Sequence, residues 1–443
     1  SCSLPGRCGM NYTVDSIDPS FSRQTKKPEA KISEADIIKI ASEILDENKL
    51  IFCDELDKFF IYRDGVFREI NNTNIKNIIK TKLGERFNTY RGNEIKANLQ
   101  IDSCLTNLNE LNATDLLNLK NGMLDTNTFE LKPHSPDYLS TIQLPVNYNP
   151  DAQCPLWIKT LDEIFEGMQS RIEVLQEYCG LCTTKDTRYE KALILNGEGS
   201  NGKSVILHLL QEILKECYSA IPLEKFNDGH YTVNLFGKLA NISIETNAKS
   251  CVYDSTFKAV VSGDPITADQ KFLKAMSFRP YCKLIFALNN MPRVDDKTDA
   301  FFRRLLILPF NRQFGEEEQN KDLKHQLAAT ELDGIFYWFL KGLQRLRKRG
   351  YFKIDEDMKI EINEYRNENN SLLVFVDEVC VLQEDATVTK DILHSRYQAW
   401  CKNNGYHSLA KKKFGKELKK RFRNIEDGST GDDRIWIGIT EKF

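Results

Sequence analysis

The sequence predicts an α/β protein organised around a parallel sheet, and three observations carry that prediction. The octapeptide Gly197-Glu198-Gly199-Ser200-Asn201-Gly202-Lys203-Ser204 follows the apolar run Ala192-Leu193-Ile194-Leu195 and leads into the helical spacing Val205, Ile206, Leu209, Leu210, Ile213, Leu214. Further apolar runs at Leu239–Ile244, Lys283–Leu288 and Leu305–Leu308 are separated by helix-length stretches, the pattern of parallel strands covered on both faces. The last segment reads as three short helices followed by the strand Arg434–Ile439, the order of a winged helix-turn-helix. A chain of 443 residues with 41% hydrophobic content has room for several packed domains.

Residues 1–10 have no fold logic and are expected to be an appendage foreign to the fold. Residues 11–150 are expected to form a small N-terminal α/β domain. Its helical periodicity (Ile37, Ile38, Ile40, Ala41, Ile44, Leu45) passes into alternating Phe59, Ile61 and Val66, Phe67 around Arg63-Asp64-Gly65, a hairpin with an Asp-Gly turn. Helical patterns run from 74 to 108, and 116–148 holds short strands punctuated by Asn121-Gly122, Pro133, Pro136 and Pro145. Residues 151–187 read as a helical lead-in, 188–315 as the sheet core, and 316–368 as a charged helical segment. In 369–443, Leu372, Leu373, Phe375 and Val376 open one helix, Leu393, Tyr397 and Trp400 mark a second, and Phe414 to Phe422 supply a third.

No uninterrupted apolar stretch reaches the ~18 residues of a membrane span, and no export pattern opens the chain, so the expected location is cytoplasmic, in the host cell if the gene is a phage's. The twelve cysteines are scattered. Cys179-x-x-Cys182 lacks a second ligand pair, and Val174, Leu175, Tyr178 and Leu181 around it make an ordinary helix face, so these thiols are read as structural. A net charge of −3 does not mark a nucleic-acid binder by itself. Two local basic runs stand out. Arg345, Arg347, Lys348 and Arg349 are read as a solvated helix face; the denser Lys411, Lys412, Lys413, Lys416, Lys419, Lys420, Arg421, Arg423 run flanks the helix that would meet a groove or a phosphate track.

The octapeptide is a phosphate cradle. Glycines at its first and sixth positions turn backbone N–H groups toward a phosphate chain, Lys203 reaches the β/γ-phosphates, and the Ser204 hydroxyl suits Mg²⁺. The cofactors expected are therefore ATP and Mg²⁺, with Gly197, Gly199, Ser200, Asn201, Gly202, Lys203 and Ser204 forming the loop. An ATPase also needs an acid at the end of a neighbouring strand; Glu245 is the candidate for that role and for the metal shell, with Asn247 as an accessory and Ile244 standing where a second acid is common. Asn289, ending a third strand, can reach the γ-phosphate and the lytic water. Arg303 and Arg304 precede the next apolar strand, and either can pair with phosphate or serve as a structural ion-pair partner.

These pieces resemble a superfamily 3 helicase of the AAA+ class, specifically the phage/plasmid and poxvirus primase-helicase family. The likeness rests on the P-loop form, on Gly237-Lys238-Leu239-Ala240-Asn241-Ile242, on Phe257-Lys258 with Ser262-Gly263-Asp264-Pro265, and on Asn289-x-x-Pro292 and Arg303-Arg304 in that order. Leu119-Lys120-Asn121-Gly122, Pro133-His134-Ser135-Pro136-Asp137 and Tyr148-Asn149-Pro150-Asp151-Ala152 look like that family's N-terminal domain, and the C-terminal segment is similar to its winged-helix appendage. The resemblance implies a hexameric ring that hydrolyses ATP between subunits and moves on single-stranded or forked DNA. It makes Glu245 the Walker B acid, Asn289 the sensor and Arg304, in preference to Arg303, the arginine finger. It also places DNA contact on a hairpin between acid and sensor, where Lys271 and Lys274 would meet phosphates and Phe272 would support or stack. No Asp-x-Asp or Asp-x-Glu pair or zinc motif before the core offers a primase or polymerase site, so such an activity is expected on a preceding domain or a partner. Two other readings stay open: a DNA-binding initiator or loader ATPase that does not unwind processively, and an ATPase acting on RNA or protein.

Overall fold

The computed structural model describes residues 32–226, 228–244, 254–269, 275–292, 294 and 299–442. The chain separates into two compact units, the first comprising the described residues up to Ile61 together with Glu69–Leu108, the second Tyr62–Arg68 and everything from Asn109 onward.

In the first unit, α1 (Glu34–Asn48) starts on a reciprocal cap, with Asp36 N–H donating to Ser33 Oγ and Ser33 N–H to the Asp36 carboxylate. It buries Ile37, Ile40, Ala41 and Ile44. Strands β1 (Leu50–Cys53), β2 (Lys58–Arg63) and β3 (Val66–Ile70), the last two with their Tyr62–Arg68 part counted in the second unit, helices α2 (Asn72–Leu83) and α3 (Thr89–Asp102), and β4 (Cys104–Leu105) come next. The sheet order is β3-β2-β1-β4. Asp64 (φ 51°) and Gly65 (φ 83°) both take the left-handed conformation that a two-residue hairpin turn demands, as the Asp-Gly signal predicts.

Residues 109–150 belong to the second unit, together with the residues C-terminal to them. Strands β5 (Leu117–Leu119), β6 (Gly122–Leu124) and β7 (Leu131–Lys132) form an antiparallel sheet whose Leu117, Leu119 and Leu124, with Ile142, Leu144 and Val146, join the same apolar core as Trp157, Tyr178 and Leu195. Helices α4 (Pro155–Phe165) and α5 (Gln169–Cys182) then lead to the main sheet. Glu331 caps α4 from far along the chain, its carboxylate accepting from Leu156 N–H at 3.0 Å and Trp157 N–H at 2.9 Å. Cys179 and Cys182 are buried in α5, and burial pushes both thiols up, Cys182 to about 12.

The main sheet is built from β8 (Ala192–Asn196), β9 (Tyr218–Ser219), β10 (Ala240–Ile244), β13 (Lys283–Leu288) and β14 (Leu305–Pro309). Helix α6 (Lys203–Leu214) follows β8; the four-residue α7 (Gly229–Thr232), α8 (Asp254–Ser262), the hairpin β11 (Ile266–Ala268) and β12 (Met276–Phe278), and α9 (Asp299–Phe302) fill the other intervals. All five strands are parallel in the order β14-β8-β13-β10-β9. The four strands read from apolar runs are present. β9 is an addition: only two residues long, it gives no periodic signal and is held by Asn241, whose buried amide accepts from Ser219 Oγ and Ile221 N–H and donates to the Ile221 carbonyl. One correction concerns neighbours. β10, the strand leading to Glu245, does not lie beside β8, because β13 pairs with both and separates them.

Helices α10 (Leu323–Thr330), α11 (Leu332–Arg349) and α12 (Glu356–Glu368) come after the sheet. The basic run on α11 is not a plain solvated face. Arg345 Nε lies 2.7 Å from the carboxylate of Glu177, a fully buried residue of α5, and Arg349 pairs with the same carboxylate; Arg347 donates to the carbonyl and hydroxyl of Thr126. Only Lys348 of the four is exposed. Removing a buried charge from such a cluster leaves its partners uncompensated, so Glu177→Ala is expected to lower unfolding stability by about 3 kcal/mol, the low end of the usual range because both arginines retain some access to water. Urea unfolding of the variant against wild type checks this.

The chain ends in α13 (Ser371–Val379), β15 (Cys380–Thr389), α14 (Lys390–Asn403), α15 (Lys411–Arg421), β16 (Glu426–Thr430) and β17 (Asp433–Glu441), with sheet order β15-β17-β16. Its core holds Leu372, Phe375, Tyr397, Phe414, Leu418 and Trp436. Among the described residues, no helix is long and apolar enough to cross a membrane.

Candidate nucleotide site

Strand β8 delivers the chain to the carboxyl edge of the sheet, where α6 begins at Lys203. The turn between them needs its glycines. Gly197 (φ 152°) and Gly202 (φ 87°) lie in the left-handed region; a Cβ on the first would sit 2.6 Å from the Phe310 carbonyl, and on the second 2.5 Å from Ile164 Cδ1. Gly202 caps α6 without a side chain, so the first-turn N–H groups of a twelve-residue helix face the loop. The loop is anchored from outside by Gln313 Nε2 donating to the Glu198 carboxylate at 2.9 Å and by Phe314 N–H donating to the Ser200 carbonyl at 2.8 Å. Asn201 is buried and donates to the Glu198 carbonyl, which makes it a brace of the loop's own shape.

Lys203 is only 8% exposed, and burial lowers its pKa. Its ammonium donates to the Gly197 carbonyl, to the Glu198 and Leu288 carbonyls at 3.3 and 3.4 Å, and to Asn289 Oδ1 at 3.2 Å. The structure thus joins the loop lysine to the asparagine at the end of β13, and it can do so because β13 pairs directly with β8, with Leu288 opposite Asn196. Ser204 and Asn289 are exposed at this edge. Glu245, one residue past Ile244, lies outside the described residues, as do Asn247, Lys271, Phe272 and Lys274. The described strands β11 and β12 pair antiparallel from Ile266 opposite Phe278 to Ala268 opposite Met276, so the last three fall in the interval these strands enclose.

The two arginines have different surroundings. Arg304 is buried, donating to the Ala300 carbonyl at 2.8 Å and Ser262 Oγ at 2.9 Å and pairing with Glu190 at 3.2 Å. Arg303 is exposed. The guanidinium of Arg304 is thus held by groups of its own chain. Register adds a second fact. Leu305 stands opposite Ala192 and Pro309 opposite Asn196, so both arginines lie at the edge of the sheet away from the loop, roughly 16 Å along the strands at ~3.3 Å per residue.

Helix α12 carries contacts that the sequence did not announce. Asn196, immediately before Gly197, donates to Glu361 at 3.0 Å; Tyr365 donates its hydroxyl to the Pro292 carbonyl at 2.6 Å; Asn369, just past the helix, accepts from Val294 N–H at 2.8 Å. Arg366 lies 3.6 Å from Asp299 and over the Phe302 ring, on the short helix preceding Arg303. One helix thus touches the entry to the phosphate loop, the turn after Asn289 and the segment before the arginines. The partners of Tyr365 and Glu361 stand 73 and 165 residues away in sequence, and Glu and Tyr in a charged helix give no local signal.

Comparison with known proteins adds independent findings. Residues 41–166 match the family described as D5 N terminal like, 367–438 the family described as poxvirus D5 protein-like, and 195–304 a family of unknown function, DUF5906. A protein of Acanthamoeba polyphaga mimivirus provisionally named a helicase is 24% identical over 360 residues, 72% of this chain and 36% of its own length. Another with the same provisional name, from Invertebrate iridescent virus 3, is 22% identical over 333 residues, 65% of this chain and 35% of its own. The chain therefore spans little more than a third of these relatives. Among solved structures, the apo C-terminal region of NrS-1 superposes with a TM-score of 0.54 at 13% identity, covering 92% of this chain and 100% of that one, a likeness of fold.

Proposed function

Because the chain belongs to the phage and poxvirus primase-helicase family, we propose that it is the motor part of a replication protein, an ATP-dependent DNA helicase of the superfamily 3, AAA+ class. The observation that carries this reading is the contact of Lys203, which opens the helix after β8, with Asn289, just past the adjacent parallel strand β13, combined with an exposed Arg303 at the opposite edge of the sheet. Incoming phosphates would take over the ammonium of Lys203 from the carbonyls of Gly197, Glu198 and Leu288, and Asn289 would then be free to orient the attacking water. Ser204, exposed on the first turn of α6, and Glu245 would hold Mg²⁺, which supplies charge neutralisation between the β- and γ-phosphates.

No cation at the far edge can serve its own loop over that distance, so we place Arg303 in the nucleotide site of a neighbouring copy. That assignment calls for an assembly of copies; the resemblance to superfamily 3 helicases implies a closed hexameric ring, with the β11–β12 hairpin directed at single-stranded DNA through Lys271, Lys274 and Phe272. Six copies of a few lysines concentrate positive charge in a pore while the chain as a whole carries −3. The C-terminal segment, with its three helices and the sheet order β15-β17-β16, is read as a winged helix. Strand displacement from a forked DNA duplex in the presence of ATP and Mg²⁺ tests the reading, with RNA and peptide as competing substrates for ATPase stimulation.

A further inference from the structure

Helix α15 breaks two local rules at once. Its first turn holds Lys411, Lys412 and Lys413 with no acid, at the end where the helix dipole disfavours cations. Lys412, Lys416 and Lys420 then stand at i, i+4 and i+8, where like charges repel. The buried side of the helix is Phe414 and Leu418, so at ~100° per residue these three lysines and Lys413 fall on the opposite, exposed side. Neighbouring acids neutralise only the flanks: Asp391 pairs with Lys411, and Asp427 with both Lys390 and Lys419. Among the described residues, Lys412, Lys413, Lys416 and Lys420 form no ion pair. A cost accepted twice in one short helix is the signature of a surface kept for a polyanion.

The adjoining β16–β17 hairpin has the opposite character. Asp432 and Asp433 are exposed at its tip, and Asp427 stands opposite Trp436 further down the hairpin. A groove of about 1010 Å³ is lined by both helix and hairpin and by Trp436, with the Lys390 ammonium 4.0 Å from the Trp436 ring centre. The exposed side of α15 has no aromatic residue, which single-strand binders use for stacking, and a straight row of point charges suits the backbone of a duplex.

We propose that the outer face of α15 docks the phosphate backbone of double-stranded DNA, through the helix alone, with the acidic hairpin held away from it and without sequence preference. This deepens the proposed role at DNA, yet its test needs neither ATP nor unwinding, so the two can fail separately. The experiment is fluorescence anisotropy of the full chain, without nucleotide, on a blunt mixed-sequence duplex and on one of its strands across a salt series. Joint Lys412→Glu, Lys416→Glu and Lys420→Glu replacement is expected to lower duplex affinity by about 100-fold and to reduce the salt slope by about 3, with single-strand affinity and ATPase unchanged. Asp432→Asn with Asp433→Asn is expected to tighten duplex binding by about threefold. Wild-type duplex affinity in the lysine variant overturns the proposal, as does an equal loss on single strands. Weaker duplex binding by the hairpin variant would make the hairpin the contact, and loss of ATPase with duplex binding intact would make the face a subunit contact; either result overturns it as well.

Discussion

Replacing Lys203 with alanine is expected to abolish ATP hydrolysis, with a fall of about 10³-fold or more. The reason is local. Lys203 is the cation that the fold places inside the loop between β8 and α6, and its ammonium already gathers the acceptors Gly197, Glu198, Leu288 and Asn289 at that spot. Alanine removes the charge that would meet the β- and γ-phosphates and leaves the Asn289 side chain without the partner that holds it toward the loop. The loss should appear in binding as well as turnover. ATP that binds only the folded state raises the melting temperature of wild type, and the same ATP concentration should leave the variant's unchanged. A normal ATPase rate in Lys203→Ala would place the nucleotide elsewhere.

The second large effect falls on Arg303. Arg303→Ala is expected to bind ATP with near wild-type affinity and to lose about 10³-fold in hydrolysis, the lower end of what a trans arginine contributes. With Arg303 proposed to serve the site of another copy, mixing this variant with Lys203→Ala should restore part of the rate: the intact loop of one would meet the intact arginine of the other. Arg304→Ala should behave differently. Its guanidinium bridges Ala300, Ser262 and Glu190 within one chain, so its removal should lower stability by about 2 kcal/mol, whereas Arg303→Ala should leave stability unchanged. A mixture that recovers no hydrolysis would remove Arg303 from the site.

Much of the fold was legible because a buried parallel sheet writes itself as continuous apolar runs, as in Lys283–Leu288, and because an Asp-Gly pair between alternating strands specifies its turn. Strand order was not legible. No local feature of 239–244 says that β13 will come between it and β8, and that insertion is what brings Asn289 to Lys203. β15 escaped notice for a different reason: Gln383, Glu384 and Asp385 are exposed, so its sequence lacks the alternation of a half-buried strand. In the site, the loop and its lysine follow from residue type and spacing alone. The two arginines do not, since both precede the same apolar strand and only packing separates the buried Arg304 from the exposed Arg303. The inward turn of Arg345 and Arg349 toward Glu177 was hidden for the same reason, a charge run being silent about which members face a buried acid.

Displacement of a labelled strand from a forked DNA duplex, by the intact chain with ATP and Mg²⁺, is the most direct measurement of whether this protein is a motor. The expected result is displacement that requires hydrolysis, stops in Lys203→Ala and Arg303→Ala, and returns when those two proteins are mixed. DNA-stimulated ATPase without displacement would contradict it and leave a protein that switches on DNA with ATP instead of one that unwinds it.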